Sequence, residues 1–108
     1  MKTSYNKYGN FKHNGFDSRR EEKRWYQLCA LEKSGQISGL QRQVRFQLIP
    51  SQRINGRVVE RPCDYVADFV YYEGDTKVVE DCKGFKTDAY RIKRKLFLQR
   101  YGIQIRES

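Results

Sequence analysis

The chain has 108 residues, enough for one small domain with a modest core and too few for a separate specificity domain. Its 22 Lys and Arg against 13 Asp and Glu give a net charge of +9. Such a charge points to a polyanionic partner, with nucleic acid leading because no amphipathic basic helix or hydrophobic span argues for a membrane. Cys29, Cys63 and Cys82, with one histidine and no close pairing, exclude a zinc site and read as free buried thiols in a reducing cytoplasm.

Residues 1–16 are dominated by Lys, Asn, Gly, Ser and Tyr without a steady period, and read as a mobile basic arm ahead of one domain over 17–108. The opening Met1-Lys2-Thr3-Ser4-Tyr5-Asn6-Lys7 lacks the apolar core of a secretory signal. Tyr5, Tyr8 and Phe11 in the arm are candidates for stacking on unpaired bases. Ser18-Arg19-Arg20-Glu21 fits a capping box, with Ser18 as N-cap of a helix to about Lys33 that Ser34-Gly35 stops. At about 100° per residue, Trp25, Leu28 and Cys29 define the inward stripe of that helix and Glu21 falls near its middle. An acid along a buried face needs a partner. Either the capping box occupies Glu21 with the Ser18 N–H, or Glu21 faces a site.

Leu40 to Ile49 alternates as a strand does, with Val44, Phe46 and Leu48 on one face and Gln41, Gln43, Arg45 and Gln47 on the other. Asn55-Gly56 is a hairpin signal, and Pro50 and Pro62 mark irregular strand ends. Tyr65–Tyr72 and Thr76–Lys83 are rich in β-branched and aromatic residues, with the turn Glu73-Gly74-Asp75 between them. A two-residue Gly74-Asp75 loop pairs Glu73 with Thr76 and sets Asp68 opposite Asp81, with Lys83 on the same face. A three-residue loop would bring Glu80 there instead. Extending the register through Asn55-Gly56 places Gln43 opposite Asp68, unless the prolines insert a bulge. Thr87 can cap a second helix bearing Tyr90, Ile92, Leu96, Phe97 and Tyr101, closed by Gly102. Ile103-Gln104-Ile105-Arg106 reads as a final strand. The expected fold class is α/β with a mixed sheet, in the order αβββαβ.

Directly opposed side chains stand roughly 5 Å apart, where two carboxylates repel by about 3 kcal/mol at an effective dielectric near 20. A strand pair gains little to offset this unless a cation lies between the acids, and a hard divalent ion suits carboxylate oxygens.

An acid on the first helix, strands bearing Asp and then Asp-x-Lys, and a helix and strand behind them together resemble the PD-(D/E)XK nuclease superfamily, and more closely its small phage-encoded members. The resemblance spans nearly the whole chain. It rests on Lys7-Tyr8-Gly9-Asn10, Phe16-Asp17-Ser18 with Glu21 and Arg24, Gln43 with Phe46, and Ala67-Asp68-Phe69. Val79-Glu80-Asp81-Cys82-Lys83-Gly84, Thr87, Lys93, Lys95 and Tyr101-Gly102 complete it. Cys63 stands where that superfamily often has a proline, and no proline precedes Asp68.

The resemblance implies a restriction-endonuclease-like core and metal-dependent hydrolysis of a phosphodiester. Asp68, Asp81 and the Cys82 carbonyl would hold Mg²⁺, with Mn²⁺ an alternative, and Glu21 would ligate a second metal or a metal-bound water. Lys83 would orient the attacking water or stabilise developing charge, and Gln43 would hydrogen-bond the nucleophile or a ligand. Lys86, Arg91, Lys93, Arg94, Lys95 and Arg100 would supply phosphate contacts that position without reading sequence. The implied substrate is branched DNA such as a Holliday junction, cut by a homodimer in the cytoplasm of a phage host. Two alternatives stay open: a non-cleaving nucleic-acid-binding replication or recombination accessory, and a nuclease of linear or single-stranded DNA or RNA.

Overall fold

The computed structural model describes residues 15–108. The proposed arm, with Tyr5, Tyr8 and Phe11, lies outside those residues apart from Gly15 and Phe16. Phe16 belongs to the packed domain: it is buried, with its ring 6.4 Å from that of Trp25.

Helix α1 spans Arg19–Lys33, and its N-cap Ser18 accepts the Glu21 N–H at 3.1 Å. Five strands follow: β1 (Ser38–Ile49), β2 (Gln52–Ile54), β3 (Arg57–Glu60), β4 (Cys63–Glu73) and β5 (Thr76–Asp81). Helix α2 (Asp88–Tyr101) begins at Thr87, whose hydroxyl accepts the Tyr90 N–H. It ends at Gly102, left-handed with φ 69°, whose N–H returns to the Leu98 carbonyl. The two-residue β6 (Arg106–Glu107) closes the chain parallel to β5. The main sheet runs β1-β4-β5-β6, so the protein is a mixed α+β domain.

The β4–β5 hairpin has the two-residue loop: Glu73 pairs with Thr76 and Phe69 with Glu80, so continuing the ladder sets Asp68 opposite Asp81. Gly74 alone in this loop has positive φ, the pattern of a type II′ turn. On the other side, Arg42 pairs with Phe69 and Val44 with Ala67, which leaves Gln43 opposite Asp68. Bulges do occur near the prolines. One extra residue sits in β3 between Val58 and Glu60, and another in β1 between Gln47 and Ile49. Lying on opposite sides of the register, they cancel.

Gln43 and Asp68 also mark a break in the pleat. Ala67 packs in the core cluster shared with Tyr90 and Phe97 of α2, whereas Phe69 packs in the cluster of Leu28 from α1. In an unbroken strand both would face one side. On β1 the same change separates Leu40, on the α1 side, from Val44, on the α2 side. Gln43 takes the switch with φ 52°, a left-handed conformation costing a non-glycine residue about 1–3 kcal/mol. The sheet thereby changes partner helix at the position where its polar residues meet.

The hairpin expected at Asn55-Gly56 is present with Ile54 opposite Arg57, and its strands β2 and β3 form a two-stranded sheet of their own. Two expectations need correction. The last strand starts at Arg106 and not at Ile103, because Ile105 is drawn into the α2-side core before the backbone reaches β5. The three cysteines are free as expected but only half-buried. Ile92 of α2 faces outward at 59% exposure, leaving Tyr90 and Phe97 as the buried anchors of that helix. Among the described residues no helix is long and apolar enough to cross a membrane.

Candidate active site

β5 alternates regularly, so Glu80 faces α1 while Asp81 faces α2. Glu80 is fully buried. It accepts from Arg24 Nε at 2.6 Å and Nη2 at 3.1 Å, from the Tyr71 hydroxyl at 2.5 Å and from Ser108 Oγ at 2.7 Å. Burial alone would raise its pKa, but the bonds from Arg24, Tyr71 and Ser108 win and hold it below the usual glutamate value. Every lone-pair direction is thus engaged, and the residue serves the fold.

Asp81 is different. It is 1% exposed, and its Oδ2 accepts from the Tyr65 hydroxyl at 2.5 Å. Its buried Oδ1 takes no hydrogen bond. The Lys83 ammonium lies 3.2 Å from that oxygen, a charge contact off hydrogen-bonding geometry, and 4.7 Å from the centre of the Tyr90 ring. Across the hairpin, Asp68 Oδ2 accepts the Cys82 N–H at 2.8 Å, a side-chain bond where the backbone ladder stops. Burial, and then the charge of Asp81, push the Asp68 carboxyl up to about 7 despite that bond, and Glu21 adds to the rise.

Glu21 joins from α1. It is 4% exposed, and the Gln43 amide links it to Asp68, donating to Glu21 Oε2 at 3.2 Å and to Asp68 Oδ1 at 3.5 Å. Burial, and then the Asp17 charge, raise the Glu21 pKa, while Arg42 and hydrogen bonds from the Asp17 backbone and Gln43 oppose the rise. Ser18 caps the Glu21 backbone N–H, while the Glu21 carboxylate turns to the site through Gln43. Arg42 approaches Glu21 at 3.7 Å and is held over the Phe16 ring at 3.7 Å from its centre. Arg20, one residue before Glu21, donates to the Lys83 carbonyl at 2.9 Å and ties α1 to the end of β5.

All five expected site residues, Glu21, Gln43, Asp68, Asp81 and Lys83, thus fall at one corner of the sheet. Sequence reasoning missed Tyr65, Arg42 and Arg20. Tyr65 and Arg42 read as ordinary alternating strand positions, and Arg20 as one charge among many in α1. The basic residues of α2 and of the segment just before it are less uniform. Arg94 and Lys86 bind Glu107 at 2.8 and 3.4 Å, Arg91 lies 3.6 Å from Asp88, and Arg100 donates to the Leu48 carbonyl. Lys95 is exposed and Lys93 half-buried.

Among the described residues no three His, Cys, Asp or Glu side chains converge as a ready ligand set. What the corner offers a cation is two carboxylates, one with a buried oxygen that takes no hydrogen bond. That hard, incomplete oxygen set fits Mg²⁺, which binds through one or two carboxylates and retains water.

Fold and site define a small mixed α+β domain in which two acids, an amide and a lysine lie at a break in the pleat of the sheet, with Glu21 of α1 reached through the amide. The chain belongs to the family described as protein of unknown function DUF1064, whose model matches residues 3–107. Neither the curated proteins nor the solved structures contain a match.

Proposed function

We propose that this protein is a Mg²⁺-dependent endodeoxyribonuclease of the PD-(D/E)XK type, built on a restriction-endonuclease-like core and selective for branched DNA. The observation that carries the reading is the opposed Asp68/Asp81 pair, with an unbonded buried oxygen on Asp81 and Lys83 beside it. No structural purpose accounts for it. Glu80, one residue away, shows what a buried acid looks like when the fold satisfies it.

In this reading Asp68, Asp81 and the Cys82 carbonyl hold the metal, with Glu21 and Gln43 bounding the site on the α1 side. When bound, Mg²⁺ neutralises the acid pair and polarises the phosphodiester. Tyr65 fixes one oxygen of Asp81, and the other takes no hydrogen bond and faces the Lys83 ammonium. Lys83, steadied by Asp81 and the Tyr90 ring, is placed to orient water or to stabilise charge developing on the phosphate. Gln43 donates toward Glu21 and Asp68 and so sets the direction of both acids. Lys93, Lys95 and Arg91 add phosphate affinity along α2. Cutting both strands of a junction calls for a homodimer, and the setting is the host cytoplasm.

The test is a panel of labelled four-way junction, flap, duplex and single-stranded DNA incubated in Mg²⁺ or Mn²⁺, with solution mass measured in parallel. The reading expects cutting with the junction preferred. Preference for linear or single strands would move the substrate class. Tight binding without cutting in either metal would leave a nucleic-acid-binding accessory.

A further inference from the structure

Thirteen consecutive residues, Pro50 to Pro62, are all exposed and leave the domain between β1 and β4. Within them β2 and β3 pair only with each other, around an Asn55-Gly56 turn with positive φ at both residues. A lone two-stranded hairpin is at best marginally stable in water. This one nevertheless exposes Ile54 at 63%, Val59 at 50% and Val58 at 49%. Three such side chains gathered on one projecting ribbon mark a contact.

The charge says with what. The ribbon carries Arg53, Arg57 and Arg61 against the single acid Glu60, and among the described residues none of these four takes part in an ion pair. Arg53 pairs with Val58 and Ile54 with Arg57, so each face presents an arginine beside an aliphatic side chain. A dry self-association face is thereby denied on both sides, and a second copy would bring like charge. Duplex DNA suits both components. Its major groove, about 12 Å wide, admits a two-stranded β-ribbon, and there arginine reads guanine edges while aliphatic groups meet thymine methyls.

We infer that the β2–β3 ribbon inserts into the major groove of duplex DNA and positions that duplex on the site. The inference rests on the proposed nuclease reading and adds a contact surface to it. The ribbon's base lies six residues along β1 from Gln43 and five along β4 from Asp68, a span of roughly 17–20 Å at the rise of a strand. That is about half a turn of DNA. The ribbon thus engages a groove on the arm adjoining the cut.

The test is a salt titration of binding to a 30-base-pair duplex and to a 30-nucleotide single strand in EDTA, followed by fluorescence anisotropy. Wild type is compared with Arg53→Ala/Arg57→Ala/Arg61→Ala, and melting and sedimentation of both are recorded. The exposed positions predict unchanged melting and mass. Duplex affinity should fall at least about tenfold, and the slope of log K against log salt should shrink by roughly 2–3. Single-strand binding should fall less. Wild type that binds duplex with a slope the triple variant leaves unchanged would overturn the ribbon's role and leave the nuclease reading standing. Equal losses on both substrates would overturn the groove assignment. A variant that changed sedimenting mass would make the ribbon a self-association element instead. Wild type that bound neither probe would overturn the ribbon's role and leave the nuclease reading to the junction assay.

Discussion

Asp68→Asn is the sharpest probe of the acid pair, because the account gives it the unusual effect of stabilising the protein. The Asp68 carboxyl is pushed up to about 7, well above the ordinary aspartate range, by burial and then by Asp81. A folded-state pKa above the unfolded one favours the protonated acid. Its stabilising contribution is therefore full below about pH 4 and is lost as pH rises to about 7. At pH 8 the wild type carries the whole penalty. Screened repulsion of the pair alone gives roughly 3 kcal/mol. Allowing for relaxation, a neutral isostere should add about 2 kcal/mol at pH 8, or on the order of 10 °C in melting temperature. Thermal unfolding in EDTA between pH 4 and 8 checks this. The gain should vanish near pH 4, and millimolar Mg²⁺ should raise the melting point of wild type but not of the variant. A variant no more stable than wild type at pH 8, or a difference independent of pH, would refute the reasoning.

Three further outcomes follow from neighbouring contacts. Arg24→Met should destabilise by about 3–5 kcal/mol, because it strands the fully buried Glu80 charge, and denaturant unfolding measures it. At Gln43, Gly should be more stable than Ala by about 1 kcal/mol because φ there is 52°, yet both should lose cleavage together with the amide that directs Glu21 and Asp68. Tyr65→Phe removes the only hydrogen bond to Asp81 Oδ2 among those described, at a cost of about 1–3 kcal/mol. Cleavage by Tyr65→Phe should fall more than Mg²⁺ binding measured by calorimetry.

Local chemistry made much of this site legible in the sequence. Gly74-Asp75 set the β4–β5 register, and with it the opposition of Asp68 and Asp81, because a two-residue loop leaves no freedom to slip. Ser18, Thr87 and Gly102 bounded the helices through their caps. Gln43 reached its place by a cancellation that the sequence could not display: two bulges on opposite sides of the register restored the pairing that one alone would have destroyed. The inverted pleat at Gln43 and Asp68 was hidden for a different reason. Period-two alternation assumes an unbroken strand, and only packing against two helices on opposite faces shows the break. Tertiary partners were equally out of reach. Glu107 draws in Lys86 and Arg94, and Arg42 lies over Phe16, through contacts between residues far apart in the chain. A hairpin signal specifies a turn and not the sheet its strands join, so Asn55-Gly56 gave the Ile54–Arg57 pairing but not the separate β2–β3 sheet.

The measurement that bears most directly on the central claim is cutting of a labelled four-way junction by wild type and by Asp81→Asn, each in Mg²⁺ and in EDTA. The account predicts cutting by wild type in Mg²⁺ alone, with the variant inactive yet folded and still bound to the junction. Equal cutting by the variant, or cutting that persists in EDTA, would contradict it.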